Sequence, residues 1–167
     1  MSVRPFVMWP DPRLRTPCTE VGAVDAEVRR IWDDMVDTME AMPGVGLAAC
    51  QIGVMRRLAV VAASEARGQA IRMADPVVIH ASIEPRTHEE ASPNLPGVSA
   101  PVERPRAVTV RFLNETGEVE ERDFVGLWAT SVQHQIDHLA GQMYFDRLSR
   151  MRRQMLLKKA GKVRRTG

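Results

Sequence analysis

Between Ala26 and Met42 apolar residues return every three or four positions, at Val28, Ile31, Trp32, Met35, Val36 and Met39. That spacing predicts an amphipathic helix with one buried stripe. Asp25 can cap it, since its carboxylate can accept from the free amides of the first turn, and Pro43-Gly44 stops it. Beyond the helix the period shortens. Arg57 to Ala62 and Val77 to Ile83 read as short strands. Pro85 to Arg106 carries five prolines and is expected to be extended or looped, not helical. Ala107 to Leu113 and Glu118 to Phe124 flank Asn114-Glu115-Thr116-Gly117, a hairpin signal. A second helix is expected from Leu127 to Ala140, with Gly141 placed to end it, and a third, basic helix from Ser149 to Lys159. Strands that do not alternate regularly with helices predict an α+β fold with antiparallel sheets. No repeat or long linker divides the 167 residues, so a single domain over 1–167 is expected, with 147–167 as a basic C-terminal helix and tail.

Composition narrows the class. Hydrophobic residues at 44% and charged residues at 26% fit a soluble globular protein. No apolar run approaches the ~20 residues that span a bilayer, and the prolines at 5 and 10 interrupt any leader-like stretch. A cytoplasmic address and no membrane partner are expected. Cys18 and Cys50 form no spacing motif and do not suggest a disulfide scaffold. The net charge of +2 hides a division: residues 147–167 hold nine Lys or Arg and no acid, which leaves 2 − 9 = −7 on the remainder. A basic tail on an acidic body points either to a polyanionic partner, nucleic acid first, or to a solvated helix end.

The candidate chemistry lies in the second helix, at His134-Gln135-Ile136-Asp137-His138. Histidines at i and i+4 share one helical face, ~6 Å apart, close enough for both imidazoles to reach one metal ion. The zinc-hydrolase version of this spacing, H-E-x-x-H, uses its Glu to move protons to and from the metal-bound water. Here the corresponding residue is Gln135.

The frame Gln133-His134-Gln135-Ile136-Asp137-His138-Leu139-x-Gly141 resembles the Q-H-E-x-D-H-L-x-G motif of peptide deformylases, and Gly44-Val45-Gly46-Leu47-Ala48-Ala49-Cys50-Gln51 resembles their G-x-G-L-A-A-x-Q motif. The two occur in the family's order and separation, and Pro10-Asp11-Pro12-x-Leu14-Arg15 is similar to the family's start. Deformylases remove the formyl group from the N-terminal methionine of nascent chains. The resemblance implies antiparallel sheets around a central helix that bears the two metal-binding histidines. It also implies a third ligand, the Cys of an E-G-C-L-S motif, whose place falls on Ser92 in Glu90-Ala91-Ser92-Pro93-Asn94. The implied metal is a divalent ion: iron, zinc, nickel or cobalt.

Further roles carry over by position. Gln51 matches the glutamine whose amide polarises the formyl oxygen, and Gly46 the glycine that lets the substrate backbone approach. Glu90 and Arg104 match an acid–base pair beside the metal. Val45, Leu127, Thr130 and Ser131 would line the pocket for the methionine side chain, the last two making it more polar. Deformylases of some bacteria dock on the ribosome through a C-terminal helix, and Arg150, Arg152, Arg153, Lys158 and Lys159 are placed to contact RNA phosphates in that way.

Three departures fall in one reaction centre. A serine hydroxyl is a poor ligand where a thiolate is a strong one. Gln135 cannot take a proton at neutral pH, and a general acid–base group commonly contributes ~10²–10⁴-fold in rate. Pro93 has no amide hydrogen for a developing oxyanion. The sequence therefore favours a metal-free, catalytically impaired relative that keeps a cleft for a formyl-methionyl peptide or nascent chain. The competing expectation is an active metallohydrolase with a replacement ligand, His88, or base. A switch to Cys50 as nucleophile with His134 or His138 as base is a third, more remote route.

Overall fold

The computed structural model describes residues 2–63 and 69–166. Helix α1 (Ala26–Ala41) is followed by strand β1 (Gly46–Ala48), strand β2 (Leu58–Val61) and strand β3 (Ile71–Ala81). Strands β4 (Pro85–Ser92), β5 (Leu95–Pro105), β6 (Ala107–Leu113) and β7 (Val119–Val125) come next, then helix α2 (Gly126–Leu139) and helix α3 (Arg150–Thr166). The strands pair antiparallel into a five-stranded sheet in the order β1-β2-β3-β6-β7 and a two-stranded β4-β5 hairpin. This is the expected α+β architecture.

Each helix starts and stops for a local reason. Asp25 accepts the Val28 amide at 2.9 Å to open α1. At the end of α2, Gly141 takes φ +80°, the Gly141 amide reaches His138 O at 3.0 Å and the Gln142 amide reaches Asp137 O at 2.9 Å. That pair of bonds closes the helix with a left-handed residue. A Cβ at Gly141 would also lie 2.7 Å from Arg15 O, so glycine here sets how closely the N-terminal segment approaches α2.

Helix α1 lays Val28, Ile31, Trp32, Met35 and Met39 against Leu47, Leu58 and Val60, and the Trp32 indole donates to Met73 O at 3.2 Å. The other face of the sheet supplies Val61, Met73, Val110, Phe112 and Phe124, packed on Ala129 and Val132 of α2. A third apolar cluster joins Leu95, Val98 and Val102 of β5 to Tyr144, Phe145, Leu156 and Ala160. Helix α2 is thus enclosed from several sides, and its buried residues include Thr130, Ser131, Gln133, Gln135, Asp137 and His138.

The proline-rich stretch 85–106 is a regular hairpin. Its prolines at 85 and 105 face each other at the open end and Pro101 faces Glu89, on a two-stranded ribbon that gives each strand a free edge. Strand β3 begins at residue 71 rather than 77, because Pro76 and the positive-φ Asp75 sit at a bulge and hide the continuity. Helix α3 runs seven residues past the expected end at Lys159, held by Leu156, Ala160 and a Val163 that meets Gly97.

The N-terminal segment is tied to α1 by Asp34. Burial works against its charge, but Arg4 Nε and Nη2 (2.8 and 2.6 Å) and the Ser2 amide (2.8 Å) outweigh it and hold the carboxyl at about 2. A carboxyl lowered on folding stabilises above its unfolded value of ~3.9 and loses that contribution as pH falls through the folded one. Asp34→Asn is expected to lower the urea midpoint at pH 7, with the gap to wild type closing between about pH 4 and pH 2. A gap unchanged across that window would show that the ion pair contributes nothing.

Candidate functional site

Strand β4 and helix α2 meet in register. Alternation puts Arg86, His88, Glu90 and Ser92 on one face of β4, and Thr130 and His134 stand one turn apart on α2. Arg86 Nη1 donates to Thr130 Oγ1 at 2.7 Å, and His134 Nδ1 lies 2.7 Å from Glu90 Oε1. Above this line opens a cleft of about 450 Å³, bordered by Val45, Gly46, Gln51, Ser92, Leu127, Thr130, Ser131, His134 and Gln135. Strand β1 forms one wall. It lies at the end of the five-stranded sheet.

Glu90 is fixed by Arg104. The guanidinium, 1% exposed, binds Glu90 through Nε (2.7 Å) and Nη2 (2.9 Å) and Asp137 through Nη1 (2.8 Å). Arg147 grips the same Asp137 from outside at 2.6 and 2.9 Å. Burial alone would raise the carboxyls of Glu90 and Asp137, but His134 and Arg104 around the first, and Arg147 and Arg104 around the second, bring both below their usual range. An ionised Glu90 can only accept, so His134 donates from Nδ1 and turns the lone pair of Nε2 inward. That Nε2 accepts from His138 Nε2 at 3.2 Å, while the buried His138 Nδ1 has no hydrogen-bond partner. Burial, reinforced by His134, holds the His138 imidazole far below its ordinary range and therefore neutral.

Two inward nitrogens at this separation suit one ion with bonds of ~2.0–2.1 Å. The rest of the donor set does not. Among the described residues no three His, Cys, Asp or Glu side chains come together to hold a metal. Ser92, expected at the third position, donates its hydroxyl to Asn94 Oδ1 at 3.0 Å. His88 borders the cleft without joining the histidine pair, so it does not supply the missing ligand. The residues present do not make a three-ligand site.

Asn94 is the residue that sequence reasoning missed. It is 1% exposed. Its Oδ1 takes Gln51 Nε2 at 2.7 Å as well as Ser92, and its Nδ2 donates to Val7 O (2.5 Å) and Gln51 O (3.1 Å). The other near neighbour of Gln51 Nε2 is Ser92 Oγ, at 3.4 Å, while Gln51 Oε1 accepts the Ala48 amide at 2.9 Å. The glutamine amide that would polarise a carbonyl is thus engaged inside the protein. Only the pairing of Asn94 with a Gln in a distant motif would have signalled this.

Gln135 lies across from β1. It is buried, its Oε1 has no hydrogen-bond partner, and a Cβ on Gly46 would come within 2.5 Å of Gln135 Nε2 and of Ser131 Oγ. Glycine at 46 therefore leaves the space in which Gln135 sits. Ser131 Oγ donates to Val45 O at 2.7 Å, so both hydroxyls of the polar pocket are hydrogen-bonded within the protein. The route through Cys50 is overturned: its thiol is fully buried and faces the carbonyl of His138 at 3.3 Å instead of either imidazole. The neighbouring Cys18 thiol and burial push it well above its ordinary range.

The family model for polypeptide deformylase matches residues 3–154. The chain belongs to the polypeptide deformylase family. A peptide deformylase of Rhizobium meliloti is 39% identical over 99% of this chain and 97% of its own length. A second protein of that organism, named peptide deformylase-like, is 39% identical over 99% of this chain and 95% of its own. The crystal structure of a peptide deformylase from Legionella pneumophila superposes with a TM-score of 0.91 at 34% identity, over 99% of this chain and 97% of that one. Deformylases employ a divalent metal and act on formyl-methionyl nascent chains.

Proposed function

We propose that this deformylase relative binds formyl-methionyl peptide N-termini in its cleft and hydrolyses them weakly or not at all. The observation that supports it is the closed network of Asn94, Ser92 and Gln51, which occupies the would-be third ligand and carbonyl donor together. Gln135 adds to it, since an amide cannot shuttle a proton. Gly46 of the end strand β1 and the apolar Val45 and Leu127 beside the cleft are what a peptide backbone and a methionine side chain would use.

The test pairs two measurements on protein purified without oxygen. Formate release from a formyl-Met peptide is expected to stay at background with iron, nickel, cobalt or zinc supplied in turn. A fluorescent formyl-Met peptide is expected to bind in the presence of EDTA. Release that scales with metal content would instead support the metallohydrolase reading, which the converging imidazole nitrogens and the Glu90–His134 bond favour. No binding and no release would reject both.

Helix α3 is proposed to reach ribosomal RNA. Leu156 and Ala160 pack inward while Arg150, Arg152, Lys158 and Lys159 stay exposed. Arg153 is partly engaged by Asp146 at 3.3 Å. Deleting the helix would expose its buried residues, so the sound test reverses charge at Arg152, Lys158 and Lys159. Salt-sensitive co-sedimentation with ribosomes is expected to fall at least ~10-fold, since each lost phosphate contact weakens binding. Equal co-sedimentation would remove this role.

A further inference from the structure

The thiols of Cys18 and Cys50 take no part in the cleft, yet the fold brings them together from segments on either side of α1. The Cys18 amide donates to Leu139 O at 2.9 Å, and the Cys50 thiol donates to His138 O at 3.3 Å. Both residues therefore sit against consecutive carbonyls at the end of α2. They share one small cluster with Ala48, Ala59 and Leu139. Both are free thiols. Their surroundings differ: Cys50 is fully enclosed, whereas Cys18 is 8% exposed. Cys18 lies within the field of Arg57, and the Cys50 thiol beside it, with that cation, lowers it from its ordinary range. A slightly exposed thiol next to a fully enclosed one is the arrangement of an attacking and a resolving cysteine.

We propose that Cys18 and Cys50 form a peroxide-driven thiol–disulfide switch that fastens the segment before α1 to the loop carrying Gln51. The Cys18 thiolate attacks one oxygen of hydrogen peroxide. An S–O bond forms, the O–O bond breaks, and hydroxide leaves and is protonated to water. The Cys50 thiol then attacks the Cys18 sulfur. The S–S bond forms, the S–O bond breaks, and the departing hydroxide takes the thiol proton as a second water. Two thiols are oxidised and one peroxide is reduced. The Cys50 hydrogen bond to His138 O is given up, and a covalent tie fixes the position next to Gln51. This inference is independent of what the cleft binds.

The experiment uses the full-length chain. Peroxide-treated wild type is expected to lose two hydrogen atoms by intact mass, to resist alkylation at both cysteines, and to regain both thiols with dithiothreitol. Its unfolding midpoint should rise, because the crosslink restricts the unfolded chain. Cys50→Ser is expected to halt at a Cys18 sulfenic acid that dimedone traps. Cys18→Ser should leave Cys50 unmodified, with thiol loss at least ~10-fold slower. Cys50→Ala substitutes for the serine variant if the latter unfolds. Wild type that keeps two alkylatable thiols, or that forms only intermolecular disulfides, would overturn the switch.

Discussion

Ser92→Cys combined with Gln135→Glu is expected to raise formate release from a formyl-Met peptide at least ~10²-fold over the parent chain when the protein is loaded with cobalt or nickel, the scale of a single general acid–base group. The histidines need only give up the proton between their Nε2 atoms, which already converge at 3.2 Å, and Glu90 already orients one of them. The thiolate supplies the charged third donor that the hydroxyl cannot. The carboxylate enters a space already shaped for a side chain of its size, because Gly46 leaves room for Gln135. Each single change should do little alone, since a ligand without a base and a base without a ligand both leave the reaction incomplete.

The double variant should still fall short of a full enzyme. Gln51 Nε2 remains bound to Asn94 at 2.7 Å. Adding Asn94→Ser is expected to raise kcat a further ~10²-fold, the scale of one oxyanion donor, with KM little changed. Stoichiometric cobalt binding without formate release from the triple variant would refute the view that these positions account for the proposed impairment.

Arg104→Met is expected to be the most damaging single substitution outside the apolar core, at ~3–5 kcal/mol by urea unfolding, the scale of a buried ion pair broken from one side. Methionine replaces the bulk but strands Glu90, whose oxygens are otherwise met by the guanidinium and His134. Asp137 suffers less, because Arg147 holds it independently. Replacing both partners, Glu90→Gln with Arg104→Met, should recover part of the loss.

The pH dependence follows from the same geometry. In the wild type the Glu90 carboxyl is lowered, so its contribution is present at neutral pH and fades in acid. In Arg104→Met burial acts with less opposition and favours the protonated form. The deficit should therefore narrow as pH falls through the carboxylate range. A deficit that widens in acid would contradict this account.

What the sequence disclosed and what it hid divide along physical lines. Helix α1 was legible because its stripe faces a single apolar surface. The β6–β7 hairpin was legible because Asn114 and Gly117 announce its turn. Strand β3 and the β4–β5 hairpin were less so: a bulge at Pro76 and prolines tolerated on ribbon edges obscure an otherwise regular ladder. The convergence of His134 with His138 follows from spacing alone. The capture of Gln51 by Asn94 does not, because a hydrogen bond between residues 43 apart leaves no periodic trace. Likewise Arg104 and Asp137 belong to different elements, and only the register of β5 against α2 joins them.

The network at Asn94 also sets an order of events during synthesis. Val7 must wait for a partner 87 residues downstream, and the Cys18 amide for Leu139. A ribosome has therefore made more than four-fifths of the chain before the cleft can close. Products cut short before Leu139 would carry α1 and most of the strands without the central helix that covers them, so cellular proteases should clear such fragments faster than the finished protein.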